Sequence, residues 1–335
     1  MRKHRWLLLL LALAAPLMQA QNQVVIAHRG ASGYLPEHTL AAKAMAHAQG
    51  ADFLEQDVVL TRDGVPIVLH DVHLETTTDV ALVFPGRARK DGHYYAIDFS
   101  LAEIKQLRAN ERVGKDGKPV FSGRYPAGPR LFEVPTLAEE IALVQGLNTS
   151  TGRTAGIYPE LKAPQWHIEQ GLDPVPAVLA VLRDAGLERT PELVFLQCFD
   201  DRTLLRLKQE YQVPYPLIQL IGENSWREDG AVDYDAMQTA EGMARVATYA
   251  SGIGPWIGQL YRGADQDAAP LLALARQHGL LVHPYTFRTE QLPPDLESFE
   301  QLLSVFLDDF AVDGIFTDFP DLARAYLDRS EKTVE

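Results

Sequence analysis

The chain has 335 residues, 46% of them apolar, and a formal net charge of −14. This length suits one large domain or two ordinary ones. The acidic balance argues against nucleic acid as a partner and against adsorption to anionic lipid. It is compatible with an anionic small-molecule substrate, because a local cluster of arginine, lysine and a metal ion can outweigh the global field. A homodimer is left open.

Residues 1–20 have the pattern of a secretory signal peptide. Arg2, Lys3 and Arg5 precede an apolar run from Trp6 to Leu13, and Ala20 is a suitable last residue before cleavage. The apolar run is shorter than the ~20 residues that a membrane span needs. We therefore expect a cleaved signal, an exported protein of residues 21–335 and no stable membrane association.

Strand-like and helix-like patterns alternate along the rest of the chain. The predicted strands span 24–28, 53–61, 67–70, 157–162, 193–199, 216–221, 252–256, 280–287 and 314–317. The predicted helices span 39–49, 174–185, 201–211, 234–249, 268–278, 296–310 and 322–328. This alternation predicts an α/β fold, a (β/α)8 TIM barrel, with an open doubly wound sheet as the alternative.

Residues 72–155 interrupt the alternation. They contain only two short helical patterns, at 101–108 and 137–145, and are too long for an ordinary connection. We interpret them as an insertion that packs over the C-terminal face of the barrel. That face is where barrel enzymes build their active sites.

Two histidines follow apolar strand-like runs, His28 before Arg29 and His70 before Asp71. Histidine can accept and donate a proton near neutral pH. A hydrolysis with general acid–base catalysis needs a base and an acid, which requires one neutral and one charged histidine. We predict that His28 accepts the proton and His70 donates it; hydrogen-bonded core histidines are the alternative.

Three acids lie in or near the predicted strands. Glu55 and Asp57 point to the same face of one strand because side chains alternate between faces, and Glu160 lies in another strand. Buried carboxylates are costly unless they are paired or bound to a metal. The three acids are candidate ligands of a hard divalent cation, Ca²⁺ or Mg²⁺; ion pairs with Arg29 and Lys162 are the alternative.

The motifs of this region occur in a characteristic order. H-R-G-x-x-G at 28–33 is followed by P-E-H-T at 36–39, E-x-D at 55–57, T-x-D-G-x-P at 61–66 and H-D at 70–71. Further matches are Y-P-E-L-K at 158–162, L-Q-C-F-D at 196–200, V-H-P-Y-T at 282–286 and G-I-F-T-D-F-P at 314–320. Together they resemble the glycerophosphodiester phosphodiesterase family, in particular its periplasmic bacterial type, over almost everything after residue 23.

The resemblance implies metal-dependent hydrolysis of glycerophosphodiesters, such as glycerophosphocholine and glycerophosphoethanolamine, to sn-glycerol 3-phosphate and an alcohol. It also implies Ca²⁺ at the three acids and a periplasmic location. Arg29 and Lys162 would bind the phosphate, and Gln197, Tyr285 and Phe316 would contact the substrate. A phospholipase acting on intact phospholipid and a secreted phosphate-ester binding protein are the alternatives.

The remaining expectations concern single residues and the second alcohol of the substrate. Cys198 lies in an apolar run and is predicted to be a buried core thiol. His38 is a candidate for orienting the site, and Trp256 for packing against glycerol. The sequence contains no recognisable group of side chains for the second alcohol, so we expect broad tolerance there.

Overall fold

The computed structural model describes residues 23–126, 128, 130–226, 232–263 and 268–334; the predicted signal peptide lies outside them. The strands in these residues are β1 (Val24–Ala27), β2 (Phe53–Leu60), β3 (Pro66–Val68), β4 (Gly156–Leu161), β5 (Leu196–Cys198), β6 (Leu217–Ile221), β7 (Gly252–Pro255), β8 (Leu281–Val282) and β9 (Gly314–Thr317).

The α-helices in the described residues are α1 (Leu40–Ala48), α2 (Val80–Val83), α3 (Leu101–Ile104), α4 (Leu137–Thr151), α5 (Pro164–Glu169), α6 (Pro174–Asp184), α7 (Asp201–Gln209), α8 (Tyr234–Met237), α9 (Ala240–Val246), α10 (Ile257–Leu260), α11 (Pro270–Gln277), α12 (Phe299–Ser304) and α13 (Pro320–Val334). Short 3₁₀ helices span Ala96–Asp98, Leu187–Arg189 and Pro191–Leu193, and a π-helix spans Val305–Asp309. No helix in this part of the chain is long and apolar enough to cross a bilayer.

Eight parallel strands form a nearly closed barrel in the order β8, β7, β6, β5, β4, β2, β1, β9. The backbone after β8 completes the ring, because Phe287 forms a parallel bridge with Thr317 in β9. β3 lies off this ring and pairs antiparallel with β2. The prediction of a TIM barrel is confirmed, and the open doubly wound sheet is excluded because the bridge from Phe287 to Thr317 joins the two ends of the strand order.

Side-chain alternation along β2 separates the barrel interior from the helical layer. Phe53 packs inside the barrel with Tyr158 of β4, whereas Leu54 and Val58 pack against the helices. Glu55 and Asp57 share the face of Phe53, so both carboxylates point into the ring. This alternation explains why a fully buried strand carries two acids on one side.

Two of the predicted elements that differ from the structure in extent have a local cause. The predicted helix 234–249 is divided into α8 and α9, because the Thr239 side chain accepts a hydrogen bond from the backbone N–H of Gly242 and caps a new helix. The predicted strand 280–287 is reduced to Leu281–Val282, since Pro284 has no backbone N–H to donate.

The segment between β3 and β4 has two parts. Residues 137–151, which the sequence pattern placed in the insertion, form α4, which packs against α1 and α6 in the helical layer. The preceding part has its own small core with Leu74, Phe99 and Leu107 at its centre, packed on the β2–β3 hairpin. We call this part, residues 71–135, the insert.

Candidate active site

A cavity of about 120 Å³ lies at the C-terminal ends of the barrel strands. The ten residues that the sequence predicts for catalysis, metal binding and substrate contact all line it: His28, Arg29, Glu55, Asp57, His70, Glu160, Lys162, Gln197, Tyr285 and Phe316. The parallel register explains this convergence, because Asp57 pairs with Glu160 and Glu160 with Gln197. The individual roles of these residues stay predictions.

His28 is held by a buried carboxylate. Its Nδ1 lies 2.6 Å from Oδ1 of Asp318, whose Oδ2 accepts hydrogen bonds from Arg124 at 2.6 Å and Arg288 at 2.8 Å. Burial, reinforced by the charge of Arg29, lowers the pKa of His28 to about 4. At pH 7 the imidazole is therefore neutral, with Nδ1–H donating to Asp318 and Nε2 available as a proton acceptor.

His70 has a similar arrangement. Its Nδ1 lies 2.5 Å from Oδ1 of Asp71, and Oδ2 of Asp71 accepts a hydrogen bond from Arg112 at 2.7 Å. Its Nε2 lies 3.4 Å from Nζ of Lys162. Burial, followed by the charges of Arg29 and Lys162, lowers the pKa of His70 to about 4. With pKa values of about 4, both histidines are neutral at pH 7, whereas the predicted roles require one to be charged.

The three predicted metal ligands, Glu55, Asp57 and Glu160, are buried acids. Glu55 accepts a hydrogen bond from the backbone N–H of Arg29 at 2.6 Å, and Glu160 lies 2.9 Å from Lys162 Nζ. Burial and the neighbouring Asp57 carboxylate raise the pKa of Glu55 well above its usual value. Burial raises the pKa of Glu160 in the same way. A hard cation would offset this penalty, so the oxygen donors fit a divalent metal of the Ca²⁺ or Mg²⁺ type.

In the described part of the chain, two groups of residues each have their potential ligand atoms within 4.8 Å of one another: His73, Glu75 and His93 in the insert, and His38, Glu55 and Asp57 beside the cavity. The second group differs from the predicted set. His38 Nε2 lies 2.7 Å from Asp57, and its Nδ1 lies 3.3 Å from Lys43 Nζ. Because both ring nitrogens have partners, we assign His38 to orienting Asp57. Glu160 is outside this group but beside Asp57 in register.

Arg29 is positioned by an unusual turn. Arg29 and Gly30 have φ angles of 60° and 86°, and a Cβ on Gly30 would lie 2.9 Å from the carbonyl carbon of Ala42. Only glycine tolerates both conditions easily. The turn places the guanidinium 3.1 Å from Glu37 and 3.4 Å from Asp57. Arg29 and Lys162 therefore place two anchored cations on the cavity wall.

The predicted substrate contacts form a mixed polar and apolar wall. Gln197 is buried, and its Oε1 has no hydrogen-bond partner among the described residues. Phe316 is buried edge-on against Tyr158, with ring centroids 5.0 Å apart. Tyr285 donates its hydroxyl to the carbonyl of Ile221 at 3.0 Å, which fixes its ring. Cys198 is buried and its thiol contacts the carbonyl of Leu161, so the prediction of a core thiol is confirmed.

The insert contributes cations that the sequence does not reveal. Arg112 donates to Glu37 at 2.9 and 2.7 Å and to Asp71 at 2.7 Å. Arg124 contacts Asp318. These partners are 41 to 194 residues away in the sequence, so no local pattern marks them. Asp318 directly follows the predicted strand 314–317, and this position at a strand end is the sequence feature that could have indicated its place in the site.

A wider cleft of about 860 Å³ adjoins the cavity, and Trp226, Tyr285 and Thr286 border both. Trp256 lines this cleft, not the catalytic cavity. The walls of the cleft come from three separate segments, around residues 226, 256–263 and 285–295. The sequence predicts no such space for the second alcohol, because residues that are far apart in the chain build it.

Known proteins share the sequence and the fold that build this site. The profile of the "Glycerophosphoryl diester phosphodiesterase family" matches residues 28–322. A glycerophosphodiester phosphodiesterase of Haemophilus influenzae is 41% identical over 91% of this chain and 90% of its own, and one of Treponema pallidum is 36% identical over 92% of each. An Oleispira antarctica phosphodiesterase, solved with the product sn-glycerol-3-phosphate, shares the fold, with a TM-score of 0.61, 22% identity and coverage of 92% and 97%.

These matches span both the barrel strands and the cavity residues that the geometry brings together. The chain therefore belongs to the glycerophosphoryl diester phosphodiesterase family and is an enzyme, a glycerophosphodiester phosphodiesterase.

Proposed function

We propose that the enzyme hydrolyses glycerophosphodiesters, such as glycerophosphocholine and glycerophosphoethanolamine, to sn-glycerol 3-phosphate and an alcohol, with His28 and His70 as the acid–base pair. The observation that carries this proposal is that two histidines, each bonded through Nδ1 to a carboxylate, share one small cavity with two cations and three acids. The product bound to the Oleispira antarctica relative is the one that this reaction would release.

Arg29 and Lys162 bind the phosphate in this proposal. Guanidinium can fork two hydrogen bonds to the anion, and ammonium adds a point charge. Both are held by acids, at 3.1 Å for Glu37 and 2.9 Å for Glu160, so little reorganisation is needed when negative charge grows in the transition state. Gln197 and Phe316 offer a polar and an apolar contact to glycerol.

We assign the metal to Glu55, Asp57 and Glu160, as Ca²⁺ with Mg²⁺ as the alternative. When bound, the cation would supply positive charge that balances the charge developing on the phosphate. His38 keeps Asp57 in position through its 2.7 Å contact. Lys43 is buried, with its Nζ 3.2 Å from Glu140 and 3.3 Å from Nδ1 of His38, and it thereby fixes the His38 ring.

Two proton transfers complete the reaction. His28 Nε2 takes the proton of the attacking oxygen as its bond to phosphorus forms, and Asp318 stabilises the resulting imidazolium. The negative charge of the bound phosphodiester offsets Arg29 and Lys162, which raises the pKa of His70 so that it carries a proton. His70 gives this proton to the alcohol oxygen as its bond to phosphorus breaks. Attack by water gives the product directly, whereas attack by the adjacent glycerol hydroxyl gives a cyclic phosphate first.

The test is turnover of purified protein on glycerophosphocholine, with release of sn-glycerol 3-phosphate as the expected result. Diacyl phosphatidylcholine is the control for the phospholipase alternative. A cavity of about 120 Å³ with charged walls suits glycerol and phosphate, not a glycerol that carries two acyl chains. Efficient cleavage of the diacyl lipid would favour that alternative.

We further propose that the protein is exported to the periplasm after removal of residues 1–20, as in the periplasmic bacterial type of the family. The support is the sequence pattern of three basic residues followed by a short apolar run. Size-exclusion chromatography of the mature protein distinguishes a monomer from a homodimer.

A further inference from the structure

Two tryptophans form a corner of the wide cleft beside the catalytic cavity. The ring centroids of Trp226 and Trp256 are 5.7 Å apart, and the ring planes are tilted by 53°. Trp256 donates its indole N–H to a carboxylate oxygen of Glu223 at 2.6 Å, which fixes the ring and brings an acid to it. Trp226 is 45% exposed. The corner thus presents an exposed indole, packed against a second indole, beside a carboxylate.

Tyr285 extends this aromatic surface to the catalytic cavity. Its hydroxyl is bonded to the carbonyl of Ile221, and its ring packs edge-on against Phe199 at 6.0 Å. Tyr285 and Trp226 are the aromatic residues that border both the cavity and the cleft. A group attached to the phosphate by a short linker must therefore lie against these two rings.

The length of the linker selects the chemical group. In choline and ethanolamine two carbon atoms separate the ester oxygen from the nitrogen, so the nitrogen stays at the junction and does not reach the far end of the cleft. Aromatic faces attract cations, most strongly those of tryptophan, and give little to the hydroxyl groups of glycerol or inositol. The junction thus suits a methylated ammonium better than a polyol.

The charged residues of the cleft fit this assignment. Arg288 and Arg262 line the wide part and do not border the catalytic cavity, and Arg288 is bonded to Asp318. Glu223 lies behind Trp256, and Asp295 on the cleft wall accepts a hydrogen bond from Tyr261 at 2.9 Å. Among the described residues of the cleft, Arg262 and Arg288 thus lie away from the junction, whereas Glu223 and Asp295 contact the aromatic residues.

We propose that Trp226, Trp256 and Tyr285 form a subsite for the trimethylammonium group of the departing alcohol, so that the enzyme prefers choline esters. This inference rests on the proposed function and refines the expectation of broad tolerance for the second alcohol. It names the leaving-group chemistry that the cleft recognises through cation–π contact.

The experiment compares two esters of sn-glycerol 3-phosphate that have the same shape. One is glycerophosphocholine; the other carries 3,3-dimethylbutanol, in which a neutral carbon replaces the nitrogen. We expect kcat/KM to be about tenfold higher for the choline ester, a difference that corresponds to ~1.4 kcal/mol. Trp226→Ala should bring the ratio of the two kcat/KM values close to one, and Trp226→Phe should keep part of it.

The ratio within each variant cancels general effects on folding or catalysis. Tyr211→Ala, which removes an aromatic side chain of similar exposure outside the cleft, is the control and should keep the wild-type ratio. Hydrolysis of both esters with a wild-type ratio near one, or an unchanged ratio in Trp226→Ala, would overturn this inference alone. Failure to cleave either ester would overturn the proposed function and this inference with it.

Discussion

The replacement of Asp318 by asparagine isolates the electrostatic support of His28. Asp318 is the negative charge between the imidazole, at 2.6 Å, and the guanidinium groups of Arg124 and Arg288. Burial opposes its ionisation, but these arginines outweigh burial and keep the pKa of Asp318 well below its usual value. Asparagine keeps the size and removes the charge, so an imidazolium formed at His28 would face the arginines without its counter-charge.

The magnitude follows from the contact that is lost. A hydrogen bond to a charged group contributes about 1.5–3 kcal/mol, and ~1.4 kcal/mol corresponds to a factor of ten. We therefore expect kcat to fall by roughly 10- to 150-fold in Asp318→Asn. The carboxylate also raises the pKa of His28 against burial, so its removal should move the acidic limb of the pH–rate profile to lower pH.

The assay is steady-state hydrolysis of glycerophosphocholine across pH, with circular dichroism and thermal melting as checks of the fold. Asp321→Asn is the matched control, because Asp321 accepts a hydrogen bond from Tyr34 and supports no catalytic group. A folded Asp318→Asn protein with kcat within about threefold of wild type, or with an unmoved acidic limb, would refute this account of Asp318.

Other changes test the remaining parts of the site. His28→Ala and His70→Ala should each lower kcat by roughly 10²–10⁴-fold with the fold unchanged, as measured by turnover and circular dichroism; near-normal turnover would remove that residue from the mechanism. Chelation should abolish activity and Ca²⁺ or Mg²⁺ should restore it, and Glu55→Gln, Asp57→Asn and Glu160→Gln should raise the cation concentration needed for half-maximal rate. Full activity after exhaustive chelation would contradict the metal site. The base must be neutral, and burial lowers the pKa of His28 to about 4, so the acidic limb of kcat/KM should fall near pH 4; a limb near the ordinary histidine value would contradict this. N-terminal sequencing of the secreted protein should begin near Gln21, and an intact leader on membrane-extracted protein would argue against export.

The barrel and its cavity were predictable because each signal was local. The alternation of side chains along β2 predicts that its two acids lie on the same face. Because the whole strand is buried, that face is the barrel interior. The histidines mark the point where β1 and the β2–β3 hairpin end. Parallel strands deliver their carboxyl ends to one rim, so these local signals converge in space.

The supporting contacts were not predictable because they join distant segments. Arg112 and Arg124 come from the insert, whose one short helical pattern, at 101–108, does not indicate where the segment packs on the barrel. The sequence does not indicate which arginine would pair with Asp71 or with Asp318. The pKa values of the histidines depend on that complete set of charges and on burial, so the neutral state of His70 also emerged only from the structure.

The aromatic cleft could not be predicted from the sequence, because it too joins distant segments. Trp226, Trp256 and Tyr285 each follow a different barrel strand, and single aromatic residues at such positions usually belong to the core. Only the packing of the loops places Trp226 against Trp256 and leaves it 45% exposed.

The most direct test of the central claim is to identify the products by ³¹P NMR during hydrolysis of glycerophosphocholine with Ca²⁺ present. The site predicts conversion of the diester signal to sn-glycerol 3-phosphate with equimolar choline, and loss of that conversion in His28→Ala and after chelation. Phosphocholine and glycerol as products, or unchanged rates in the chelated enzyme and in His28→Ala, would contradict it.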